Sequence, residues 1–429
     1  MGKSKVSALN TLLQSYILRV IILQSYPVCS ESQMTGKRAL FILNKMESLF
    51  KNEQTEVRPN LECYKLVLCA ISNCKPPHIQ GIGDDAERIL SRIEENGLTP
   101  DSECYSYLIK TWSTAAQHNE LTAEEIYSFA SKANNVLDKM SQMYLKSGTV
   151  LIRPTTVDYD NVMCAWSKCQ LNGVAEKVEN LLNNMEQLND DGDMCVLPSR
   201  NSYLYAIKSW KNSPNTSKQI QGAMNVMKRF KAQYTRKGNS NCKPSVDCFN
   251  AVISVCGSRN LQTASDEVKR EGLKCLLDTM HEMRNLDQYD GHPESSTYSL
   301  LLEAFSVLLV KGSKEYQRAI ESAFTMCRKE GLVDDKVLKT FHRVAPYESY
   351  RKLVLSAAYP RIKSDGTVSD DMLLPDEWSK NTTRLDKSWN APLSLDGRLV
   401  YDRCKTVSVY KNKKLRKRVN QSILRGGRA

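Results

Sequence analysis

Six of the fourteen prolines in this chain have an aromatic residue five positions downstream. They are Pro59–Tyr64, Pro100–Tyr105, Pro154–Tyr159, Pro198–Tyr203, Pro244–Phe249 and Pro293–Tyr298. Aromatics are 7% of the residues, so roughly one such match arises by chance. Each aromatic opens a similar stretch, such as YKLVLCAI from Tyr64, YDNVMCAW from Tyr159 and YSLLLEAF from Tyr298. A seventh, LNTLLQSY from Leu9, lacks the proline. Apolar residues at the first, fourth, fifth and eighth places trace one face of a helix, whereas a strand would alternate.

A second apolar stripe follows each first one and pairs a small or aliphatic residue with a large one seven later. The pairs are Ala39–Met46, Ala86–Ile93, Ala133–Met140, Val178–Met185, Ala223–Phe230, Leu273–Met280 and Ala319–Met326. Small residues let two helix backbones approach closely. The residues after the prolines are Asn60, Asp101, Thr155, Ser199, Ser245 and Glu294. All but Glu294 are good helix N-caps. Proline pushes the residue before it out of the helical region, so the preceding helix has ended. The repeating unit is therefore helix A, loop, helix B, proline loop, cap. One helix pair cannot bury both its faces, but stacked pairs can. The expected fold is all-α, a right-handed superhelical solenoid of antiparallel helix pairs. An irregular helical bundle is the alternative, and the fixed order of proline, cap, aromatic and two stripes argues against it.

These units resemble pentatricopeptide repeats, with an aromatic opening helix A, Ala and Met in helix B, and a Gly-x-x-Pro-Asp ending. The clearest copy of that ending is Gly97-Leu98-Thr99-Pro100-Asp101. The resemblance covers roughly residues 5–340. The proline spacings of 41, 54, 44, 46 and 49 exceed a family unit of about 35 residues. The surplus falls mainly in loops, where length costs little entropy. The array is read as residues 1–343 in seven units: 5–59, 60–100, 101–154, 155–198, 199–244, 245–293 and 294–343. Residues 344–402, where the pattern is lost, are read as an irregular C-terminal cap, and 403–429 as a basic tail.

The resemblance implies binding of single-stranded RNA, one base per unit. The family sets specificity with the residue after the helix A aromatic and the residue after the closing proline. Carried over, the pairs are Asn10 with Asn60, Lys65 with Asp101, Ser106 with Thr155, and Asp160 with Ser199. Leu204 with Ser245 and Asn250 with Glu294 follow, then Ser299 with Asp335 in a unit lacking its proline. By the family's usual combinations, Asn–Asn implies a pyrimidine and Ser–Asp a guanine. Leu204 has no hydrogen bond to offer a base edge. Val157 alone fills the aliphatic position two before the aromatic that sandwiches a base in the family. Lys168 alone fills the family's phosphate-side lysine, nine after the aromatic.

The net charge of +12 is concentrated in the tail: ten Lys/Arg and no acid lie in 403–429, leaving +2 for the rest. Within it, Lys411, Lys413, Lys414, Arg416, Lys417 and Arg418 form a basic run. Phosphate contact, a nuclear address and a solvated run are the three readings, and the resemblance favours the first. The nearly neutral body argues against broad electrostatic attraction of nucleic acid. The alternative function is therefore a protein-binding scaffold, such as a ribosome-associated or assembly factor.

Fourteen cysteines occur without a CxxC pair, which removes zinc-finger and thioredoxin-type sites. Cys69, Cys164, Cys256 and Cys275 sit in apolar stripes and are read as reduced core residues. No His-x-Glu with CxxC supports a deaminase. Asp370-Asp371 and Asp376-Glu377 are neighbours in a loop-like stretch and are read as solvated acids. The expectation is a non-enzyme with no cofactor or metal. Its partner is single-stranded RNA, with a ribosomal or RNA-processing protein as a second partner, and the chain acts as a monomer. No apolar run reaches transmembrane length. No acid precedes Glu31, and Lys3, Lys5 and Arg19 are present, a composition that suits a mitochondrial address. A plastid is the alternative.

Overall fold

The computed structural model describes residues 31–51, 58–74, 81–118, 120–235, 238–285, 291–362, 368–382 and 393–394. The helix expected at 9–16, with Asn10, lies outside these residues, as does the basic run at 411–418. The chain divides into two compact units, Met1–Lys243 and Pro244–Ala429.

In the first unit, α1 (Glu31–Lys51) is followed by α2 (Leu61–Ser72), α3 (Ile82–Glu95), α4 (Ser102–Ala116) and α5 (Ala123–Ser147). Then come α6 (Thr156–Trp166), α7 (Val174–Asp190), α8 (Arg200–Asn212) and α9 (Thr216–Thr235). The even-numbered members are the helices A. Each packs on the next, α2 on α4, α4 on α6 and α6 on α8, while each also packs on its own helix B. Two short 3-10 turns, Val150–Ile152 and Met194–Val196, take up part of the surplus length.

The opening aromatics Tyr64 and Tyr203 are fully buried, and Tyr105 and Tyr159 nearly so. Burying such a side chain stabilises the fold by about 1.5–3 kcal/mol. The prolines Pro59, Pro100, Pro154 and Pro198 are buried with them. Caps fix where each helix A starts. The side chains of Asn60 and Asp101 accept the N–H of Cys63 and Cys104 at 3.0 and 3.1 Å. Ser199 accepts from Asn201 and Ser202. Thr155 acts reciprocally, its N–H and hydroxyl both donating to Asp158 at 2.8 Å.

The tyrosine ring is also a rivet. Tyr64 donates its hydroxyl to Glu47 of the preceding helix B, and Arg92 of the following helix B closes on the same carboxylate. Tyr203 repeats this with Glu186 and Arg229. Burial, then the bonded carboxylate, holds both phenols well above their ordinary pKa. At the far end of helix A, Trp112 lies on Gly83 and Trp210 on Gly222, so close that a Cβ on either glycine would collide with the indole.

In the second unit, α10 (Val246–Cys256) pairs with α11 (Asp266–Asn285), and α12 (Ser295–Leu308) with α13 (Lys314–Lys329). α14 (Asp335–Val344) packs on α12 as a further helix A. Its N-cap is Asp334, which accepts the Val337 N–H at 2.8 Å. The buried Leu338 stands four residues on, where the other units have their aromatic. The cap-equivalent residue is thus Asp334, and the pairing of Ser299 with Asp335 is corrected by one position. The missing proline removed the landmark that set the register elsewhere.

Five second-stripe pairs are buried in helices B as expected, from Ala39–Met46 to Ala223–Phe230. The last two are displaced. Leu276 and Met283 are the buried pair of α11, and Tyr316, Ile320, Ala323 and Cys327 line the core face of α13. Leu273 and Ala319 are only half-buried. Positions three apart share nearly the same helix face, so apolar spacing alone cannot choose between Leu273–Met280 and Leu276–Met283.

The segment expected as an irregular cap contains a short helix Tyr347–Tyr350, a π turn Arg351–Leu355 and a small antiparallel sheet. There β1 (Tyr359–Ile362) pairs with β2 (Val368–Leu373), which pairs with β3 (Leu393–Ser394). Trp378 covers Phe324, with ring centres 5.9 Å apart, and its carbonyl accepts the Val333 N–H at 2.7 Å.

Candidate nucleic-acid interface

Apart from Lys168, which follows the C-terminal end of α6, the described residues singled out from the sequence fall along the N-terminal ends of the helices A, and their surroundings differ between the units. In the first unit, two of the expected pairs meet each other. Lys65 on α2 contacts Asp101, the cap of α4, at 3.2 Å, and also pairs with Glu103 and, at 3.6 Å, with Glu62. Burial lowers the ammonium pKa, but hydrogen bonds from Glu103 and Asp101 outweigh it and hold the group above its ordinary value. Three acids thus surround one cation.

Asp160 on α6 reaches the cap of α8. The hydroxyl of Ser199 donates to it at 2.7 Å and that of Ser202 at 2.5 Å. Burial raises the Asp160 pKa, and the two hydroxyls offset part of the shift. Ser202 was not anticipated. Its signal was the Ser199-x-x-Ser202 spacing, in which the second serine also accepts the Ser199 N–H at 3.0 Å.

Ser106 and Leu204 are half-buried on α4 and α8. Val157, in the base-sandwich position, is 63% exposed. Lys168 donates to the Gln117 carbonyl at 2.6 Å, while the Gln117 amide donates to the Cys164 carbonyl at 2.8 Å. The lysine expected to meet phosphate is tied to the neighbouring helix A. Cys69 and Cys164, expected in the core, are half-buried on this side, while Cys256 and Cys275 are buried, and all four are free thiols.

In the second unit the same positions hold polar atoms without partners. Asn250 on α10 is 8% exposed and donates its amide to Ser296 at 3.1 Å, but its Oδ1 accepts nothing. Ser299 on α12 is fully buried, and its hydroxyl has no partner. Asp335, one residue past the cap Asp334, pairs with Lys339 at 2.7 Å through one oxygen and leaves Oδ1 unpartnered. Glu294 caps α12 through its N–H, which donates to Thr297 at 3.1 Å. A buried polar atom left unpaired costs about 1–3 kcal/mol, so Asn250 Oδ1 and Ser299 Oγ are costly where they stand.

Repeated helix pairs, capped after a proline, place Lys65 and Asp160, each the residue after an aromatic, beside the next helix A's cap. The described residues form a helical-repeat protein. No family profile matches its sequence, and no curated protein matches it. Solved structures it is similar to include the maize pentatricopeptide repeat protein PPR10, at 15% identity and a TM-score of 0.23, covering 82% of this chain and 54% of that one. PPR10 in complex with an 18-nt psaJ RNA element aligns at 16% identity and a TM-score of 0.24, over 82% and 59% of the two chains. The chain thus spans less than two thirds of the length of these structures. Among the described residues of the repeat protein, no group of three His, Cys, Asp or Glu could hold a metal ion. No described helix is long and apolar enough to cross a membrane.

Proposed function

We propose that this protein binds single-stranded RNA along the N-terminal ends of its helices A, as a monomeric adaptor in organellar RNA processing, stability or translation. The observation that carries the reading is the set of unpartnered buried polar atoms on Asn250 and Ser299, at the positions where the family resemblance expects bases to be read. The basic run at 411–418 supplies non-specific attraction for the RNA backbone. The acid-free composition before Glu31 supports a mitochondrial address, with a plastid as the alternative.

A second reading has its own observation. Two of the first unit's pairs, Lys65–Asp101 and Asp160–Ser199, are bonded to each other, and three acids surround Lys65, which disfavours phosphate and suits a protein-binding scaffold. Filter binding to an organellar RNA pool across a salt series, with and without residues 403–429, separates the two. RNA binding by the repeats predicts that the tailless protein still retains selected single-stranded sequences. If retention vanishes with the tail, or never selects a sequence, the scaffold reading replaces it.

A further inference from the structure

Three consecutive closing loops share one build. They read GTVLIRP from Gly148, GDMCVLP from Gly192 and GNSNCKP from Gly238, each three residues longer than GLTP from Gly97. Their glycines have φ of +62°, +92° and +67°, a region that glycine enters without a Cβ clash. The added residues form the 3-10 turns Val150–Ile152, Met194–Val196 and Ser240–Cys242. Side chains tie the turns into a ridge. Arg153 pairs with Asp193 at 2.6 Å, and Thr156 donates to the Leu197 carbonyl at 2.8 Å. Asn239 donates its amide to the Pro198 carbonyl at 3.1 Å.

The third turn presents Ser240 and Asn241 to solvent. Where Ser240 stands, the second turn has Met194, 72% exposed. Where Asn241 stands, the first turn has Leu151, 68% exposed. The third loop shows that polar residues build the same turn, so the fold does not call for the apolar ones. Val157 opens α6 beside them, for its neighbour Thr156 also donates to the Cys195 carbonyl at 3.2 Å. With Leu145 in the last turn of α5, they make four of the nine large apolar side chains left exposed among the described residues. Apolar surface gathered in this way marks an interaction site. The charges around it lean acidic. Over 146–157 and 190–197, Asp190, Asp191 and Lys146 are exposed, while Arg153 is spent on Asp193. Two exposed acids to one base disfavour a phosphate backbone and favour a cationic partner.

We infer that Leu151, Val157 and Met194 form a docking surface for an amphipathic helix of a protein partner. That helix lays an aliphatic stripe on the ridge and sets a lysine or arginine against Asp190 and Asp191. A stripe at helical spacing meets such a surface through three or so anchors. The inference goes beyond the RNA reading and does not depend on it. A partner held here would stand beside the N-terminal end of α6.

The test is fluorescence anisotropy of the full chain with a short helical peptide of leucine and lysine, leucine filling one face, and with its leucine–glutamate counterpart. The variant carries Leu151→Asn and Met194→Ser, the third loop's own residues at those places, and a melting curve checks its fold. The lysine peptide should bind the natural protein about tenfold tighter than the glutamate peptide. The variant should bind the lysine peptide at least about tenfold more weakly than the natural protein does. On the natural protein, which needs no substitution, the lysine peptide should slow amide exchange at 149–157 and 192–197. No binding, equal binding of the two peptides, undiminished binding to the variant, or protection elsewhere overturns the assignment. Phosphatidylcholine vesicles and sedimentation of the chain alone are run alongside. Vesicle binding or self-association that the variant loses would give the patch to lipid or to a second copy, and would overturn it too. Val157 is left in place, so the variant should keep the natural affinity for oligouridylate, and failure of the RNA reading leaves the peptide result unaffected.

Discussion

At the scale of single residues, an interaction partner decides what an ionisable group is available for. Lys65 was expected at a base-reading position, yet its ammonium is held by Asp101, Glu103 and Glu62. Lys65→Ala should leave RNA affinity within about twofold, because the half-buried ammonium is already committed to three carboxylates. A larger loss in anisotropy would mean that the lysine leaves its acids for RNA. Asp160 makes a pH prediction. Burial raises its folded-state pKa above the unfolded value of about 3.9. Its contribution to stability is therefore full below that value and declines as pH rises through the folded-state pKa. Denaturant melts from pH 3.5 to 7 should show this decline, and Asp160→Asn should flatten it. An unchanged slope would show that the serine hydroxyls cancel the cost of burial.

Helices and their junctions set a second scale. Beside each of Tyr64, Tyr203 and Tyr298, a glutamate that accepts the tyrosine hydroxyl meets an arginine from the other flanking side. At Tyr298 the charges are exchanged: Arg284 comes from the preceding helix and Glu330 from the following one. The chain thus already contains both polarities of the same clamp. Glu47→Arg alone should cost about 1–3 kcal/mol, and adding Arg92→Glu should recover most of it in a double-mutant cycle. Additive losses would show that backbone geometry at Tyr64 admits one polarity only. The indole contacts are less forgiving. Gly222→Ala gains helix propensity yet drives a methyl into Trp210, and a net loss of about 1–2 kcal/mol in urea melts is expected. A stabilised variant would mean that Trp210 has room to withdraw.

The legibility of the molecule follows from the same physics. Helix A was readable because proline, cap and aromatic are local and each has its own chemical cause. Five helix B stripes were readable for the same reason. The stripes of α11 and α13 slipped by a partial turn, since periodicity cannot rank two apolar faces three residues apart. Asp334 was missed by one residue because Val333 replaces the proline that marks the cap elsewhere. The small sheet at 359–373 was beyond reach, for its strands are short and carry no alternating pattern. At the site, residue positions were legible but their occupancy was not. That Asp160 would face Ser202, or that Lys65 would meet three acids, depends on how adjacent helices A align.

Across the whole molecule, the two units differ in how their helix A ends are spent. In the first, Lys65 meets Asp101 and Asp160 meets Ser199, whereas in the second Asn250 and Ser299 keep buried polar atoms without a hydrogen bond. Removing 403–429 should therefore weaken all RNA binding and lower its salt slope, but should not alter base preference. A changed preference would place sequence reading in the tail. The closed pairs also limit how much information such a chain can extract from a transcript. A reader with base contacts at two positions specifies a word of two letters, which recurs roughly once in sixteen positions of random RNA. Such a word is too common to name a single transcript. Choice of target would then come from which RNAs are unpaired and nearby, and the helical array would act less as a dictionary than as a ruler that holds a strand open.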